Sequence, residues 1–156
     1  RLTGKGFNFV TSFINQNDNL ILHLAGGHEL LDAAKNVLAS SRFIYHGLMN
    51  PEELMKLIHN VRFVFVLSEC FDVYPSIVLE AISHDSLPVV FPTIGNVDLV
   101  RSRSEKLIIP FRTIPNINNL KSTDNVKDQI ASSLESKKSL RTPEQAFKEY
   151  TTLLRI

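Results

Sequence analysis

The sequence has little cysteine, no long apolar run and almost no charge imbalance. Its single cysteine, Cys70, excludes an internal disulfide framework and fits a reducing compartment. No apolar run approaches the roughly 20 residues that a membrane-spanning helix needs. With 17 basic and 16 acidic residues, no overall field attracts nucleic acid or anionic lipid. We therefore expect a cytoplasmic protein with no nucleic-acid partner.

Hydrophobic residues make up 44% of the 156 residues, which is enough for one domain with a proper core. Short apolar runs alternate with longer amphipathic ones. The predicted strands are Leu20–Ala25, Phe43–Tyr45, Arg62–Leu67, Pro88–Phe91 and Leu107–Ile109. The predicted helices are His28–Leu38, Pro51–His59, Pro75–Ser83, Val126–Leu134 and Pro143–Leu154. This alternation predicts an α/β fold, a Rossmann-like parallel sheet with helices on both faces.

Two helix starts carry local signals. Asn50 can cap the helix that begins at Pro51, and Glu53 stands where a capping box requires it. Thr142, Pro143 and Gln145 repeat the arrangement ahead of the last predicted helix. Between about Thr113 and Arg141 the composition turns polar, and we expect a loop there before the helix at Val126–Leu134.

The segment Ser68–Pro92 holds the most informative loop. Pro75 suits the first position of a helix, so the amides of Ser76 and Ile77 are expected to be free at its positive end. Glu80 lies five positions after Pro75 and can face the same cleft. Carboxylates accept hydrogen bonds from hydroxyls rather than from phosphate. Free amides beside Glu80 and Asp72 therefore suggest a ligand that is part phosphate and part polyol, such as a sugar nucleotide.

Each of these residues also has a plainer interpretation. Asp72 can be a loop or cap residue, and Glu80 a solvated helix position, although the apolar run around Glu80 favours a buried and partnered carboxylate. Cys70 fits a small core residue better than a nucleophile. The histidines are scattered and more typical of packed or surface residues than of metal ligands. They are His23, His28, His46, His59 and His84.

The stretch "DVYPSIVLEAISHDSLPVV" resembles the donor-site signature of family 4 glycosyltransferases of the GT-B class. That signature has an acid, a turn with an aromatic residue, an apolar run to Leu-Glu-Ala, and Pro-Val-Val after a small turn. Other stretches follow in the family's order, namely "RLTGKG", "LHLAGG", "FIYHGLMNPEELMKLIHNVRFVFVLSE", "PTIGNVDLV" and "TPEQAFKEYTTLL". The resemblance covers most of the chain and is weakest in Thr113–Arg141.

The resemblance implies roles for individual residues. Arg1 and Lys5 match the Arg/Lys pair that holds the donor diphosphate, helped by the amides at Ser76 and Ile77. Glu80 matches the acid that binds the ribose, and Asp72 the acid that binds the transferred sugar. The loop around Gly47 and Leu48 matches the segment behind the base, and Tyr74 and Pro75 belong to the donor turn. The family normally has Glu at position 72, and Asp is shorter by about 1.5 Å. Asp98 likewise replaces Glu, and the Arg–Lys spacer is one residue shorter.

The implied enzyme is a retaining, metal-independent hexosyltransferase that uses a UDP- or GDP-sugar and no cofactor. Its acceptor would be a glycan or lipid-linked molecule in polysaccharide biosynthesis, bound by an N-terminal domain outside residues 1–156. That domain could hold the enzyme at the inner membrane. The first strand of the donor domain should also precede Arg1. We expect the fragment alone to be inactive. The alternatives are a non-catalytic module that supports a partner glycosyltransferase and, more distantly, a GT-B-type sugar-nucleotide epimerase.

Overall fold

Short parallel strands form the framework of the domain. The computed structural model describes residues 2–69, 75–101 and 104–121. Its strands are β1 (Leu22–Ala25), β2 (Phe43–Gly47), β3 (Phe63–Val66) and β4 (Leu87–Val90). β1 pairs with β2 and β3 with β4, both in parallel. The register places Leu22 opposite Phe43, with an irregularity between Leu24 and Ala25. The α/β class with parallel strands is confirmed, but the described strands form two pairs instead of one continuous sheet.

Helices connect the strands in the order expected for such a fold. They are α1 (Phe7–Asn15), α2 (His28–Lys35), α3 (Pro51–Asn60), α4 (Ser76–Ser83), α5 (Ile94–Arg101) and α6 (Ile117–Lys121). Short 3₁₀ turns cover Leu2–Lys5, Ser40–Arg42 and Glu105–Leu107. None of the described helices is long and apolar enough to cross a membrane.

The structure corrects several predicted elements. The sequence patterns did not predict α1 or α5, and α6 lies within the segment predicted to be a polar loop. The predicted strand at Leu107–Ile109 is reduced to a single parallel bridge between Ile108 and Val90. The 3₁₀ turn Glu105–Leu107 explains this, because Leu107 belongs to that turn and is not available for strand pairing. The helices predicted at Val126–Leu134 and Pro143–Leu154 lie outside the described residues.

Helix α3 shows how the sequence determines local structure. Asn50 accepts a hydrogen bond from the amide of Glu53 at 2.9 Å, and the Glu53 carboxylate accepts one from the amide of Asn50 at 3.2 Å. This is the predicted capping box. At the other end of the helix, the hydroxyl of fully buried Ser86 lies within hydrogen-bond distance of the carbonyls of Ile58 and Val61, which share its one proton. Both ends of α3 are therefore satisfied by specific partners.

The densest part of the core surrounds β4. All four residues of β4 are buried. Helix α1 packs onto the β3–β4 pair through aromatic contacts. The rings of Phe13 and Phe65 lie 5.5 Å apart, and those of Phe9 and Phe91 lie 5.4 Å apart in an edge-to-face arrangement. These contacts hold α1 against the β3–β4 pair.

A cavity of about 380 Å³ lies between β1 and β3, and we call it the inter-strand cavity. Its lining includes Leu20–Ala25 along β1 and Val61–Phe65 along β3. Apolar side chains of α1 and α3 complete the lining, among them Phe7, Val10, Leu54 and Leu57. The carboxyl ends of β1 and β3 lead into the loops that were predicted to carry the functional site.

Candidate functional site

A glycine contact fixes the position of the Leu2–Lys5 turn. Gly6 is buried with φ 72°, and a Cβ at this position would lie 2.3 Å from both the Cβ and the carbonyl oxygen of Leu67. Only glycine therefore fits without a shift of the backbone. The carbonyl of Gly4 accepts a hydrogen bond from the amide of Glu69 at 3.0 Å. The turn is thus held at the carboxyl end of β3.

This anchoring brings Lys5 to the carboxyl end of β3. Lys5 is exposed, lines the inter-strand cavity, and forms no ion pair with a described residue. The nearby carboxylate of Glu69 is already bound by Arg112, whose Nη2 and Nε donate to its two oxygens at 3.1 and 3.4 Å. The hydrogen bond and the charge of Glu69 raise the pKa of Arg112. Lys5 therefore keeps its charge available for an anion.

The start of α4 faces the same cavity. Ile77 lines the cavity, as Lys5 does. Pro75 is the N-cap and Ser76 the first helical residue, so the helix begins one residue later than predicted. The amide of Val78 bonds to the carbonyl of Pro75 at 3.1 Å. Among the described residues, no acceptor binds the amides of Ser76 and Ile77. These two amides carry the positive end of the helix dipole.

Glu80 follows one turn after Ser76 on α4. At 100° per residue, Glu80 projects on the side of Ser76 and Ile77 and away from the buried face formed by Val78, Ala81 and Ile82. Its side chain is half-buried rather than fully buried. No described residue forms a hydrogen bond or ion pair with its carboxylate. Glu80 thus presents an acceptor next to the free amides.

The loop after β2 supplies a further part of this edge. Gly47 has φ 71°, and its carbonyl accepts a hydrogen bond from the amide of Gly26 at 2.8 Å. The Tyr45 hydroxyl donates to the carbonyl of Gly26 at 3.0 Å. Leu48 is 86% exposed, which is high for a large apolar side chain. The loops that follow β1 and β2 are therefore tied together, with Leu48 free for contact.

Three predicted site residues, Arg1, Asp72 and Tyr74, lie outside the described residues. So does Cys70. Asp98 belongs to α5, but its side chain also lies outside the description. The described ranges contain no group of three or more His, Cys, Asp or Glu side chains that could hold a metal ion. The structure therefore places Lys5 and Ile77 in the lining of one cavity, with Ser76 and Glu80 on the same helix as Ile77.

Two features of the site were missed by reasoning from sequence. The pairing of Glu69 with Arg112 joins residues 43 positions apart, and nothing local in either segment indicates it. The pair of His23 and His46 was also missed. Their ring nitrogens lie 3.0 Å apart and their rings stack 5.2 Å apart. Strand alternation places His23 on an exposed position of β1, which was the available signal.

Comparisons with known proteins agree with this architecture. The chain has the Rossmann-like α/β fold that forms one half of a GT-B protein. It is similar to the crystal structure of WaaG, a glycosyltransferase involved in lipopolysaccharide biosynthesis. The TM-score is 0.66 at 13% sequence identity, and the match covers 93% of this chain and 43% of WaaG. The chain thus spans less than half the length of that protein. Neither a protein-family model nor a curated protein matches the sequence.

Proposed function

We propose that the chain is the donor-binding C-terminal half of a family 4 glycosyltransferase of the GT-B class. One observation carries the proposal. Lys5, which forms no ion pair with a described residue, lines the same cavity as Ile77, and Ser76 and Ile77 begin the helix that carries the Glu80 carboxylate one turn later. This set offers donors to a diphosphate and an acceptor to sugar hydroxyls. A nucleotide sugar has both groups in one molecule.

The donors act on the departing nucleotide. When the bond between the sugar and the diphosphate breaks, negative charge grows on the diphosphate oxygens. Lys5 and the amides at the start of α4 are already placed to receive that charge, so little reorganisation accompanies the reaction. Arg1 is proposed as the second cation at the diphosphate. These groups stabilise the leaving diphosphate without a metal ion.

The remaining contacts position the donor. The Glu80 carboxylate accepts hydrogen bonds from the ribose hydroxyls, and Asp72 accepts them from the transferred sugar. The backbone around Gly47 and Leu48 borders the base, and Tyr74 lies in the donor turn before Pro75. With these assignments the diphosphate sits at the start of α4 and the base sits toward β2.

The proposed reaction is retaining transfer of a hexose-type sugar from a UDP- or GDP-sugar. The acceptor, a glycan or a lipid-linked molecule, is assigned to an N-terminal half outside these 156 residues. That half would also carry any peripheral contact with the inner membrane from the cytoplasm. We therefore expect the chain alone to bind donor weakly and to transfer no sugar.

Nucleotide titration tests the proposal. UDP- and GDP-sugars are titrated into the 156-residue chain and followed by calorimetry and by NMR shifts of Lys5, Ser76 and Glu80. A charge-assisted contact contributes enough that Lys5→Ala and Glu80→Gln should each weaken binding by about tenfold or more. Lys35→Ala is the matched control. Lys35 is an exposed lysine in the last turn of α2, and it should change affinity by less than about twofold.

Two results contradict the proposal. Equal weakening by Lys35→Ala would show that the lysines act only through overall charge. No binding across the full panel of UDP- and GDP-sugars would instead favour a non-catalytic module that supports a partner glycosyltransferase. The replacement of Glu by Asp at positions 72 and 98 motivates that alternative.

A further inference from the structure

Two histidine side chains meet on the exposed face of the β1–β2 pair. Nδ1 of His23 lies 3.0 Å from Nε2 of His46, and the two ring planes are nearly parallel, 14° apart. In the strand register His23 is opposite Ile44, and His46 follows two positions later on the same face of β2. The pairing of the strands therefore brings the two rings together, and we call them the histidine pair.

The strands fix the backbone of both histidines. His23 lies between two leucines of β1 whose side chains are buried in the core. His46 follows Tyr45, whose hydroxyl donates to the carbonyl of Gly26 at 3.0 Å. Side chains carried by hydrogen-bonded strands are held more accurately than side chains on loops, so less freedom is lost when they bind a ligand. The histidine pair is thus a preorganised set of two ring nitrogens.

The short distance between the facing nitrogens limits where hydrogen atoms can be. Two N–H groups cannot point at each other across 3.0 Å, so at least one of the facing nitrogens has a free lone pair. The hydrogen atom on the other facing nitrogen can move to the outer nitrogen of its own ring, which is the other neutral tautomer. Both facing nitrogens then offer lone pairs, and neutral imidazole is the commonest metal ligand among side chains.

The distance between the two nitrogens fits a pair of ligands on one metal ion. An imidazole nitrogen lies about 2.0–2.1 Å from Zn²⁺, so two such ligands at about 90–109° on the ion are about 2.8–3.4 Å apart. The histidine pair, at 3.0 Å, falls within this interval. Rotation about χ2, which is a broad torsion in histidine, turns both lone pairs toward one point. No movement of the strands is needed for both rings to bind the same ion.

We propose that the histidine pair binds one divalent transition-metal ion of the class of Zn²⁺, Ni²⁺ and Cu²⁺. Nδ1 of His23 and Nε2 of His46 are the two protein ligands. Water fills the other positions, because the described residues bring no third His, Cys, Asp or Glu to the pair. Imidazole suits these ions, whereas Mg²⁺ and Ca²⁺ prefer oxygen ligands. The bound ion links β1 to β2, and the inference is independent of the proposed sugar-nucleotide site.

Metal titration tests the site directly. ZnCl₂, NiCl₂ and CuCl₂ are titrated into the metal-free 156-residue chain at neutral pH and followed by calorimetry. An ion that binds the folded state raises Tm, and we expect a rise of about 5 °C or more at a free Zn²⁺ concentration 100 times its Kd. Zn²⁺ should shift the ring nitrogen NMR signals of His23 and His46 more than those of the other histidines. MgCl₂ at the same ionic strength should leave Tm unchanged.

Single substitutions identify the ligands. His23→Gln and His46→Gln each remove one ligand and should weaken Zn²⁺ binding by at least about tenfold, since even the loss of an outer partner of a metal ligand costs about 10- to 100-fold. His59→Gln is the matched control. His59 is exposed in the last turn of α3, and its loss should change Zn²⁺ affinity by less than about twofold. Circular dichroism of the metal-free variants verifies that each one is folded.

Four outcomes would overturn the inference. Equal weakening by His59→Gln would show that the ion binds exposed histidines without selecting the pair. Undiminished Zn²⁺ binding in both His23→Gln and His46→Gln would place the ion elsewhere on the chain. The absence of binding heat and of a change in Tm with all three ions would show that the pair is only a hydrogen bond between neutral rings. A rise in Tm with MgCl₂ as large as that with ZnCl₂ would indicate a general ionic effect.

Discussion

The two strand pairs of this domain differ in how they are covered. Every residue of β4 is buried, and Leu87, Val89 and Phe91 have no exposed surface. In β1 and β2 buried or half-buried positions alternate with exposed ones, including His23 and Ile44. β4 is therefore covered on both faces, β3 is half-buried along its length, and the β1–β2 pair has one open face.

This difference matters for the candidate site. Lys5 is anchored to the β3–β4 pair through the contact of Gly6 with Leu67, and α4 packs there through Val78, Ala81 and Ile82. The β1–β2 pair supplies the loop at Gly47 and Leu48. The groups assigned to the diphosphate thus sit on the more buried pair, where packing fixes their positions.

The largest expected contrast comes from truncating one apolar side chain in each pair. Phe91→Ala removes a fully buried ring that packs against Phe9, and it should lower the free energy of unfolding by about 4 kcal/mol. Ile44→Ala in β2, where the side chain is 44% exposed, should lower it by less than about 1 kcal/mol. Urea unfolding of both variants measures the contrast. Equal losses would contradict the assignment of the core to the β3–β4 pair.

A smaller effect is expected at the link between the Lys5 turn and β3. Gly6→Ala combines a left-handed backbone with a clash against Leu67, so it should cost about 3 kcal/mol. Gly4→Ala is the matched control. No atom lies within 4 Å of its added Cβ, and the change should stay within about 0.5 kcal/mol. Thermal unfolding compares the two variants. A Gly6→Ala chain as stable as Gly4→Ala would show that the close approach to Leu67 is not required.

The smallest effect is a pH dependence in the open β1–β2 pair. Burial, and to a lesser degree the nearby His46, lower the pKa of His23 from 6.5 in the folded chain. The unfolded chain then binds more protons between the two pKa values. The folded state is therefore fully favoured above about pH 6.5 and loses stability as pH falls through the lower, folded pKa. The loss should be only about a few tenths of a kcal/mol because the ring is largely solvated.

Urea unfolding between pH 7.5 and pH 5 measures this loss, with His23→Gln as the comparison. The variant should have a flatter profile in that interval. If the profile of His23→Gln matches that of the unaltered chain, the dependence arises from other groups.

Local signals made much of the fold predictable. The Asn50–Glu53 capping box depends on four adjacent residues, and the structure contains it. Helix α1 was missed because its β-branched and aromatic residues, such as Phe9, Val10 and Thr11, are typical of strands. Its helical conformation depends on the Gly6 contact and on packing across the sheet. Tertiary contacts had overridden local propensity there.

The site was predictable only in part for the same reason. Pro75 at the start of an apolar run indicated the beginning of α4 to within one residue. The family resemblance implied that Lys5 lies near Ile77, but no local pattern indicated the close approach of Gly6 to Leu67 that positions Lys5. The separation of the strands into two pairs is likewise a property of packing between segments distant in the chain.

The ion pair of Arg112 with Glu69 affects the charge at the carboxyl end of β3. Without Arg112, the unpaired Glu69 carboxylate beside the Leu2–Lys5 turn would repel an approaching polyanion or form an ion pair with Lys5. Arg112, which is assigned no ligand contact, thereby offsets the negative charge of Glu69. Since an exposed ion pair adds little to folding, we expect the loss of Arg112 to change the charge at the proposed donor site while the fold stays intact.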